Sequence, residues 1–463
     1  MNKWTRKLAD DSGSSFVLVL VMVTVVLVIC SAVLGLFIMQ YRLVSRDYHR
    51  LQARYTAEAG VHKVLWLMSG HEGKDPGWRP EAAAVSLWEG ASAVVSAEPW
   101  GGFIRITSGA HDGNISETVI AVAGEEAASC FDKAVMLGEE GFPLVVTGRN
   151  RITGDVLTGM RGVRSGKLAG REFEGDELVD GNIERDQSPA LPAFDSDRML
   201  RSMDDWQAII DRAPANVTTE NGRWTIRDTL KQSPGKDLLF FRGDIAFENV
   251  TEIHVPEAPI IIGCTGCIHF SGSGNIEGPV LFLAGDSIVV EDANWLRHVI
   301  FYSPGKVRFG GDARMEGQIF SEKEIIIQDR AVLLYPSVIL CRGYEDELFV
   351  HGDIRVTDQA VVQGTVILAH DAGLPGRKRN EMAVHIGKAA RLTGAVYSEN
   401  HTELSGTVTG SVVTRDFYLF RPPTTYLNWL CDAVIDRTAL PEGFCTPLGF
   451  DRRPSLHVVH WEN

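Results

Sequence analysis

The apolar positions of the chain follow three patterns, and the first is an unbroken apolar run near the N-terminus. No charged residue lies among the 24 residues from Phe16 to Met39. A helix over this run is about 36 Å long at ~1.5 Å per residue, whereas the hydrocarbon core of a bilayer is ~30 Å thick and the apolar part of a cleaved export signal has only ~7 to 15 residues. Backbone groups in lipid must also bond within their own segment. The run therefore predicts one membrane-spanning helix.

The second pattern is helical amphipathicity over the residues that follow. Apolar or aromatic residues recur at spacings of three and four, and arginines recur at every fourth position. The apolar series is Tyr41, Val44, Tyr48, Leu51, Tyr55 and Val61 or His62, and the basic series is Arg42, Arg46, Arg50 and Arg54. We expect the helix to continue to about Met68. Two interpretations of the arginine row stay open, a solvated surface over lipid headgroups or a row that docks acidic neighbours.

Alternating apolar and polar residues begin farther along the chain, between Ala91 and Gly124. Two glycine-containing segments, Trp100-Gly101-Gly102 and Asp112-Gly113-Asn114, interrupt the alternation. Glycine and asparagine supply the backbone conformations of tight turns. This region therefore predicts a small three-stranded antiparallel meander.

The third pattern is a repeat of short apolar segments in the second half of the chain. Most segments follow one another at steps of about 20 residues, which is too short for a unit to bury its own apolar face. The segments begin at Leu238, Pro259, Val280, Val299, Gln318, Val338, Val366, Ala395 and Ser411. Such units become stable by stacking on their neighbours. We therefore expect a parallel β-helix of about nine coils, right-handed, with a C-terminal capping segment.

Two adjacent columns of the aligned repeats are apolar. One contains Leu281, Ile300, Ile319, Ile339, Ile367, Val396 and Val412, and the next contains Phe282, Phe301, Phe320, Leu340, Leu368, Tyr397 and Val413. Neighbouring residues of a strand face opposite sides, so this sheet should be buried on both faces. One column fills the lumen of the solenoid and the other needs a cover. The candidates for that cover are the meander and the segment Thr424–Asp436.

The first 70 residues resemble the start of minor pilin-like and pseudopilin-like proteins. The resemblance rests on a short basic leader, Gly13 followed by small residues, the long apolar run, and the polar helix that ends with "YTAEAGVHKVL" from Tyr55. It implies cleavage by a prepilin peptidase after Gly13, with Ser14 as the new N-terminus, and packing of the helix against other pilin-like subunits. Major pilins carry Glu at the fifth mature position, where this chain has Leu18.

These patterns give a mainly β protein with five regions. Residues 1–13 are a leader-like basic segment, 14–70 the transmembrane and amphipathic helix, 71–127 the meander, 128–420 the β-helix with a short helix near 199–213, and 421–463 the C-terminal cap. Positive residues flank both ends of the apolar run, so charge alone leaves the orientation open. The resemblance implies a single-pass protein of the cell membrane whose C-terminal bulk is extracytoplasmic.

Charge and cysteine content narrow the set of partners. The net charge is -15, which argues against nucleic acid as a partner because phosphate binding needs a clustered basic surface. Seven cysteines are too few and too scattered for a disulfide scaffold. Cys431 and Cys445 could form a disulfide in an extracytoplasmic domain. Cys264 and Cys267 have no second ligand pair at zinc-site spacing, so core positions are the simpler explanation.

No catalytic motif is present. The chain has no phosphate-binding loop, nucleophile elbow or helical metal-binding pair, and we expect neither a cofactor nor a metal. Asp286, Asp312, Asp329 and Asp353 are placed as turn residues rather than as paired acids. His457 and His460 could bind a metal only with an acid or a third histidine nearby. We therefore expect that the protein is not an enzyme.

Three functional hypotheses remain. The first is a membrane-anchored, pilin-like structural or surface-display protein, a minor component of a type IV pilus or related secretion filament in contact with the lipid bilayer. The second is a membrane-anchored extracytoplasmic β-helix that binds or processes polysaccharide, with a surface glycan as partner. The third is a solenoid that polymerises end to end, which a covered last coil would oppose.

Overall fold

The two helical patterns of the sequence form one continuous helix, α1 (Asp11–Met68). The computed structural model describes the whole chain except residues 1–10, 71–80, 89, 127–128, 139–140, 193, 196, 213–223, 232–237, 255–258, 293, 371–378, 451–454 and 463. Helix α1 ends at Met68, and the turn after it contains Gly70, whose φ of 87° suits a residue without a side chain. The N–H groups of Ser69 and Gly70 donate to the carbonyls of Leu65 and Leu67, each at 3.1 Å.

An antiparallel sheet follows α1, as the alternation predicted. Its first strands are β1 (Ala83–Trp88), β2 (Ala91–Trp100), β3 (Phe103–Asp112) and β4 (Ile115–Glu126). The turns between β2 and β3 and between β3 and β4 contain Gly101 and Gly113, with φ of 58° and 59°. Two strands from the end of the chain, β36 (Cys445–Thr446) and β37 (Leu456–Glu462), pair with β4. The C-terminal strands therefore complete the sheet that the meander begins.

Most of the remaining strands form a parallel β-solenoid, and its longest stack contains twelve strands among the described residues. In spatial order they are β14 (Leu238–Phe241), β16 (Ile260–Cys264), β18 (Gly274–Ala284), β20 (Asn294–Ser303), β22 (Arg314–Ser321), β24 (Val332–Cys341), β28 (Val361–Leu368), β31 (Arg391–Leu404), β32 (Thr407–Arg421), β5 (Val135–Leu137), β8 (Val156–Gly159) and β12 (Ile183–Asp186). The nine predicted segments are the first nine strands of this stack. The predicted solenoid is thus confirmed, and its handedness stays a prediction.

Two more parallel stacks close the coils. One contains β13 (Trp224–Lys231), β15 (Ile245–His254), β17 (Cys267–Ser271), β19 (Ser287–Val290), β21 (Lys306–Phe309), β23 (Glu324–Ile327), β27 (Asp353–Val356), β30 (Ala383–Ile386) and the later parts of β31 and β32. The other contains the first parts of β18, β20, β22, β24, β28, β31 and β32, followed by β35 (Val434–Asp436) and β7 (Arg151–Thr153).

The smaller elements lie at the margins of the solenoid. A parallel sheet joins β34 (Trp429–Cys431), β6 (Leu144–Thr147) and β9 (Val163–Ser165). Short pairings join β10 (Lys167–Leu168) to β11 (Arg171–Glu172), β26 (Phe349–His351) to both β25 (Tyr344–Glu345) and β29 (Arg379–Asn380), and β33 (Thr424–Leu427) to β32. A 3₁₀ turn spans Ser129–Phe131, and the helix expected near 199–213 is α2 (Asp197–Arg212).

The end of the solenoid is closed by chain segments that are far apart in sequence. Strand β32 pairs with β5 through Val412 and Val135, and β35 pairs with β7 through Ile435 and Ile152. Residues 135–186 therefore satisfy strand edges that β32 and β35 would otherwise leave unpaired. The C-terminal residues 421–463 divide between this end of the solenoid and the antiparallel sheet.

The register of the solenoid differs by one residue from the alignment of the two columns at three steps between coils. Ile300 pairs with Gln318 rather than with Ile319, Val338 pairs with Thr365 rather than with Val366, and Ala395 pairs with Thr365 rather than with Val366. A β-bulge causes the first two differences, because it leaves residues without a partner in the next coil, whereas the third pairing is regular and its segments were aligned one residue apart. A slip of one residue moves a side chain to the opposite face. The luminal column is therefore Phe282, Phe301, Ile319, Ile339, Val366, Val396, Val412 and Val135.

Both faces of this sheet are buried, as the two apolar columns predicted. The outer face carries Leu283, Tyr302, Phe320, Leu340, Ile367, Tyr397 and Val413. The turn of the meander covers part of it with Trp100 and Phe103, which confirms one of the two expected covers. Helix α2 covers another part with Trp206, and the segment Thr424–Asp436 lies within the solenoid instead. The sequence analysis did not identify α2 as a cover.

Candidate functional site

The first half of α1 is an apolar surface that meets solvent on every side in this structure. Its side chains from Phe16 to Met39 are exposed, including Phe16 at 71%, Leu27 at 64% and Phe37 at 64%. Among the described residues this is one helix that is long and apolar enough to cross a membrane, and none of its most apolar window is buried. An apolar surface of this size is stable when lipid or another apolar surface covers it.

The second half of α1 packs on the antiparallel sheet. Ala57, Val61, Val64 and Met68 are fully buried and belong to the same apolar cluster as residues of β2, β3 and β4. Gly60 lies at the closest approach, because a Cβ there would stand 2.7 Å from Ala93 Cβ. The small residues of the segment "YTAEAG" therefore let the helix axis approach the sheet.

Polar contacts fix the same half of α1 along the sheet edge. His49 Nδ1 lies 3.0 Å from Asp112 Oδ2, and Arg50 Nε donates to Glu117 Oε1 at 2.8 Å. Arg54 pairs within the helix with Glu58, at 3.0 Å. The acidic residue that Arg50 contacts, Glu117, thus belongs to the same chain and not to a partner. A charge change at Arg50 would disturb the contact between helix and sheet as well as any external partner.

The residues of the expected processing site lie in the first turns of α1. Gly13 and Ser14 have helical backbone, and the helix begins at Asp11. The basic leader before it lies outside the described residues. Leu18, at the position where major pilins carry Glu, is 61% exposed. Processing after Gly13 stays a prediction.

The cysteines of the expected disulfide lie in different sheets. Cys431 is in β34, which pairs with β6, whereas Cys445 is in β36, which pairs with β4. Both are free thiols in the structure. Cys264 and Cys341 lie in the solenoid core, and burial raises the pKa of each thiol to about 12. Such thiols stay protonated and unreactive.

The solvent face of the solenoid carries stacked ionic contacts. His385 Nε2 lies 3.2 Å from Asp353 Oδ1, and His385 Nδ1 lies 3.0 Å from Glu403 Oε2. Burial by itself lowers the pKa of His385, but its hydrogen bonds to Asp353 and Glu403 raise the pKa to about 9. Another pair joins Arg330 and Asp312 at 2.7 Å, and the hydrogen bond from Arg330 lowers the pKa of Asp312. These aspartates hold neighbouring coils together.

The structure supplies His460 with the neighbours that metal binding needs, which the sequence did not reveal. His460, in β37, lies beside His298 and Glu316 of the solenoid. His457 instead contacts Ser455, at 3.1 Å, and Glu126, at 3.4 Å. His298 and His460 are so far apart in sequence that no motif spacing links them, and only the pairing of β37 with β4 brings them together.

The similarity of this chain to known proteins is low. No protein-family model matches the chain, and no curated protein is significantly similar to it. Among solved structures, the competence-associated pilin ComZ from Thermus thermophilus aligns over 90% of this chain and 98% of its own, with 12% sequence identity and a TM-score of 0.21. A similarity at this level does not establish a shared fold or function.

Proposed function

We propose that the protein is a membrane-anchored, pilin-like structural protein that displays a β-solenoid outside the cytoplasmic membrane, as a minor component of a type IV pilus or related secretion filament. The observation that carries the proposal is the division of α1. One continuous helix exposes apolar side chains over its first half and packs on a sheet over its second half. We propose no catalytic role.

The continuity of α1 supports a mechanical role for the helix. A helix of 58 residues extends about 87 Å, and its first half is long enough to cross a bilayer. The packed half then holds the antiparallel sheet next to the membrane surface. Because the sheet also contains β36 and β37 from the end of the chain, the solenoid is tied to the same support at both of its chain ends.

The mature N-terminus tests the pilin-like part of the proposal. We expect mass spectrometry of the membrane-extracted protein, from cells with an active prepilin peptidase, to find Ser14 as the first residue. Gly13→Leu should retain the leader, whereas Gly35→Leu, inside the apolar run, should not affect cleavage. An intact leader on the unaltered protein in such cells would remove the processing claim.

Crosslinking tests whether the helix has protein partners or only lipid around it. A photoreactive amino acid in place of Leu27 should give adducts with other pilin-like subunits in intact cells. The same group in place of Trp88, which is 47% exposed on the antiparallel sheet, is the control outside the apolar run. Adducts with lipid alone at position 27 would leave a membrane anchor and would contradict the filament assignment.

A further inference from the structure

Two histidines and a glutamate converge where the antiparallel sheet meets the solenoid. His298 belongs to β20, Glu316 to β22 and His460 to β37. Each offers one ligand atom, and the three atoms lie within 4.8 Å of one another. The rings of His298 and His460 are 5.2 Å apart between centroids. These side chains share a small open cavity with Trp100 and Gln318.

The ionisable groups around this cavity face one another at distances longer than hydrogen bonds. His460 Nδ1 lies 3.8 Å from Glu316 Oε1, and His298 Nδ1 lies 3.9 Å from Glu462 Oε1. Both distances exceed hydrogen-bond length. Glu462 Oε1 is buried and has no hydrogen-bond partner among the described residues, although Glu462 Oε2 accepts from Arg105 Nε at 3.1 Å. A buried carboxylate oxygen without a partner is unfavourable, and the Nδ1–H of a His298 ring that binds a cation through Nε2 would satisfy it.

The backbone at His298 is in a conformation that few side chains adopt. Its φ is 55°, and the register on both neighbouring strands is interrupted beside it, between Glu277 and Val280 and between Arg297 and Val299. Residues held in this region of φ concentrate at functional sites. The interruption lets His298 leave the regular alternation of its strand and lie beside Glu462 and His460.

Gln318 keeps the two parts of the site in a fixed relation. Its Nε2 donates to the carbonyl of Trp100 at 2.9 Å, and its Oε1 accepts from the N–H of Gly102 at 2.7 Å. Gln318 is 2% exposed, and it fastens the meander turn to the coil that carries Glu316. The site is thus built on paired strands rather than on loops, which favours a defined ligand geometry.

We propose that His298, Glu316 and His460 bind a divalent transition-metal ion, with Zn²⁺ as the ion that best fits the donor set. Two imidazoles and one carboxylate are a common ligand set for Zn²⁺, with a water in the remaining position. Metal–ligand bonds of ~2.0 to 2.2 Å put tetrahedral ligand atoms about 3.3 Å apart, so His460 and Glu316 would approach by about half an ångström. Glu462 beside His298 Nδ1 is placed to orient that ring. The ion would tie the C-terminal strand to the solenoid.

Zinc affinity of the full chain, extracted in detergent and freed of metal, tests the site. Competition with a chromophoric chelator should give a single tight Zn²⁺ site in the unaltered protein. His460→Asn and Glu316→Gln should weaken it at least about 100-fold, and Glu462→Gln about 10- to 100-fold, as for groups that orient a ligand. His457→Asn, on the same strand but outside the group, is the matched control and should bind as the unaltered protein does.

A structural measurement separates a built site from general histidine binding. Zn²⁺ should raise the Tm of the unaltered protein and of His457→Asn, and should leave the Tm of Glu316→Gln unchanged. If His460→Asn does not fold, X-ray absorption of the zinc-loaded unaltered protein decides, and we expect two imidazoles in the first shell. Absence of micromolar Zn²⁺ binding, equal affinity in Glu316→Gln and the unaltered protein, or a first shell without imidazole would each overturn the proposal.

Discussion

The protein has two large apolar surfaces, and its own chain covers only one of them. The outer face of the solenoid carries Tyr302 and Phe320, both fully buried beneath α2 and the meander turn. The first half of α1 carries side chains such as Leu27, which is 64% exposed. The solenoid face is thus part of a folded core. The surface of α1 requires a cover from outside the described chain, which is the basis of the proposed membrane and filament role.

The largest effect is expected where the cover of the solenoid is removed. Trp206 of α2 contacts Tyr302 and Phe320, with ring centroids 5.6 and 5.2 Å away. Trp206→Ala should lower the free energy of unfolding by about 3 to 4 kcal/mol, because it removes a buried aromatic side chain and leaves a cavity. Urea denaturation of the detergent-solubilised chain measures the change. Backbone circular dichroism is the suitable probe, because it does not rely on tryptophan fluorescence.

The control for that substitution is Trp88→Ala. Trp88 is 47% exposed at the end of β1, so its removal should cost less than about 1 kcal/mol. Equal losses from the two tryptophans would show that α2 does not cover the solenoid face in solution.

A charge in the apolar run of α1 tests the uncovered surface. Leu27→Arg should make the free energy of membrane insertion less favourable by about 3 kcal/mol, since arginine at the centre of a membrane helix costs about that much on insertion scales. Fractionation of cells should then find a larger share of this variant than of the unaltered protein outside the membrane fraction. Leu51→Arg, also in α1 but beyond the run and 52% exposed, should remain in the membrane. Membrane retention of Leu27→Arg at the unaltered level would contradict a spanning role.

The sequence predicted the elements of both surfaces but only one of their covers. The apolar run, the meander and the nine stacked segments follow from local periodicity, which a single chain segment displays by itself. Helix α2 and the strands of residues 135–186 joined the solenoid through contacts that are distant in sequence, such as Val412 with Val135. The alignment slipped at Gln318 because the bulge residue His298 has no counterpart in the next coil. No local pattern marks such a bulge.

The same limit explains why the sequence did not reveal the group of His298, Glu316 and His460. His298 follows an ordinary strand sequence, and its unusual φ of 55° is a property of the assembled sheet. To bind a metal, His460 needs an acid or a third histidine nearby. The structure places both Glu316 and His298 beside it, from separate coils. A sequence reveals such a group only when the spacing of its residues matches the period of a repeat. Here the residues come together because the antiparallel sheet packs on the solenoid.

The polar face of the solenoid needs no cover. Its contribution to the free energy of unfolding should depend on pH. The pKa of His385 is raised to about 9, so its contacts with Asp353 and Glu403 stabilise the fold fully below pH ~6.5 and this stabilisation is lost as pH rises through about 9. We expect a loss of about 3 kcal/mol over that window. The difference in free energy of unfolding between the unaltered protein and His385→Gln should shrink by this amount as the pH rises. A difference that stays constant between pH 6 and pH 10 would contradict the raised pKa.

Two glycines compare the exposed first half of α1 with its packed second half, because they lie in the same helix but in different halves. This test has the smallest expected effect. A Cβ at Gly60 would lie 2.7 Å from both Ala93 Cβ and Ser108 Oγ, whereas a Cβ at Gly35 would meet nothing within 4 Å. Alanine favours a helix by about 1 kcal/mol over glycine, but crowding in a packed core costs about 1 to 3 kcal/mol. Gly60→Ala should therefore lower the free energy of unfolding by about 1 kcal/mol, and Gly35→Ala should not lower it. Equal losses in urea denaturation would mean that the first half of α1 packs on the folded domain, and the uncovered surface would then need no external partner.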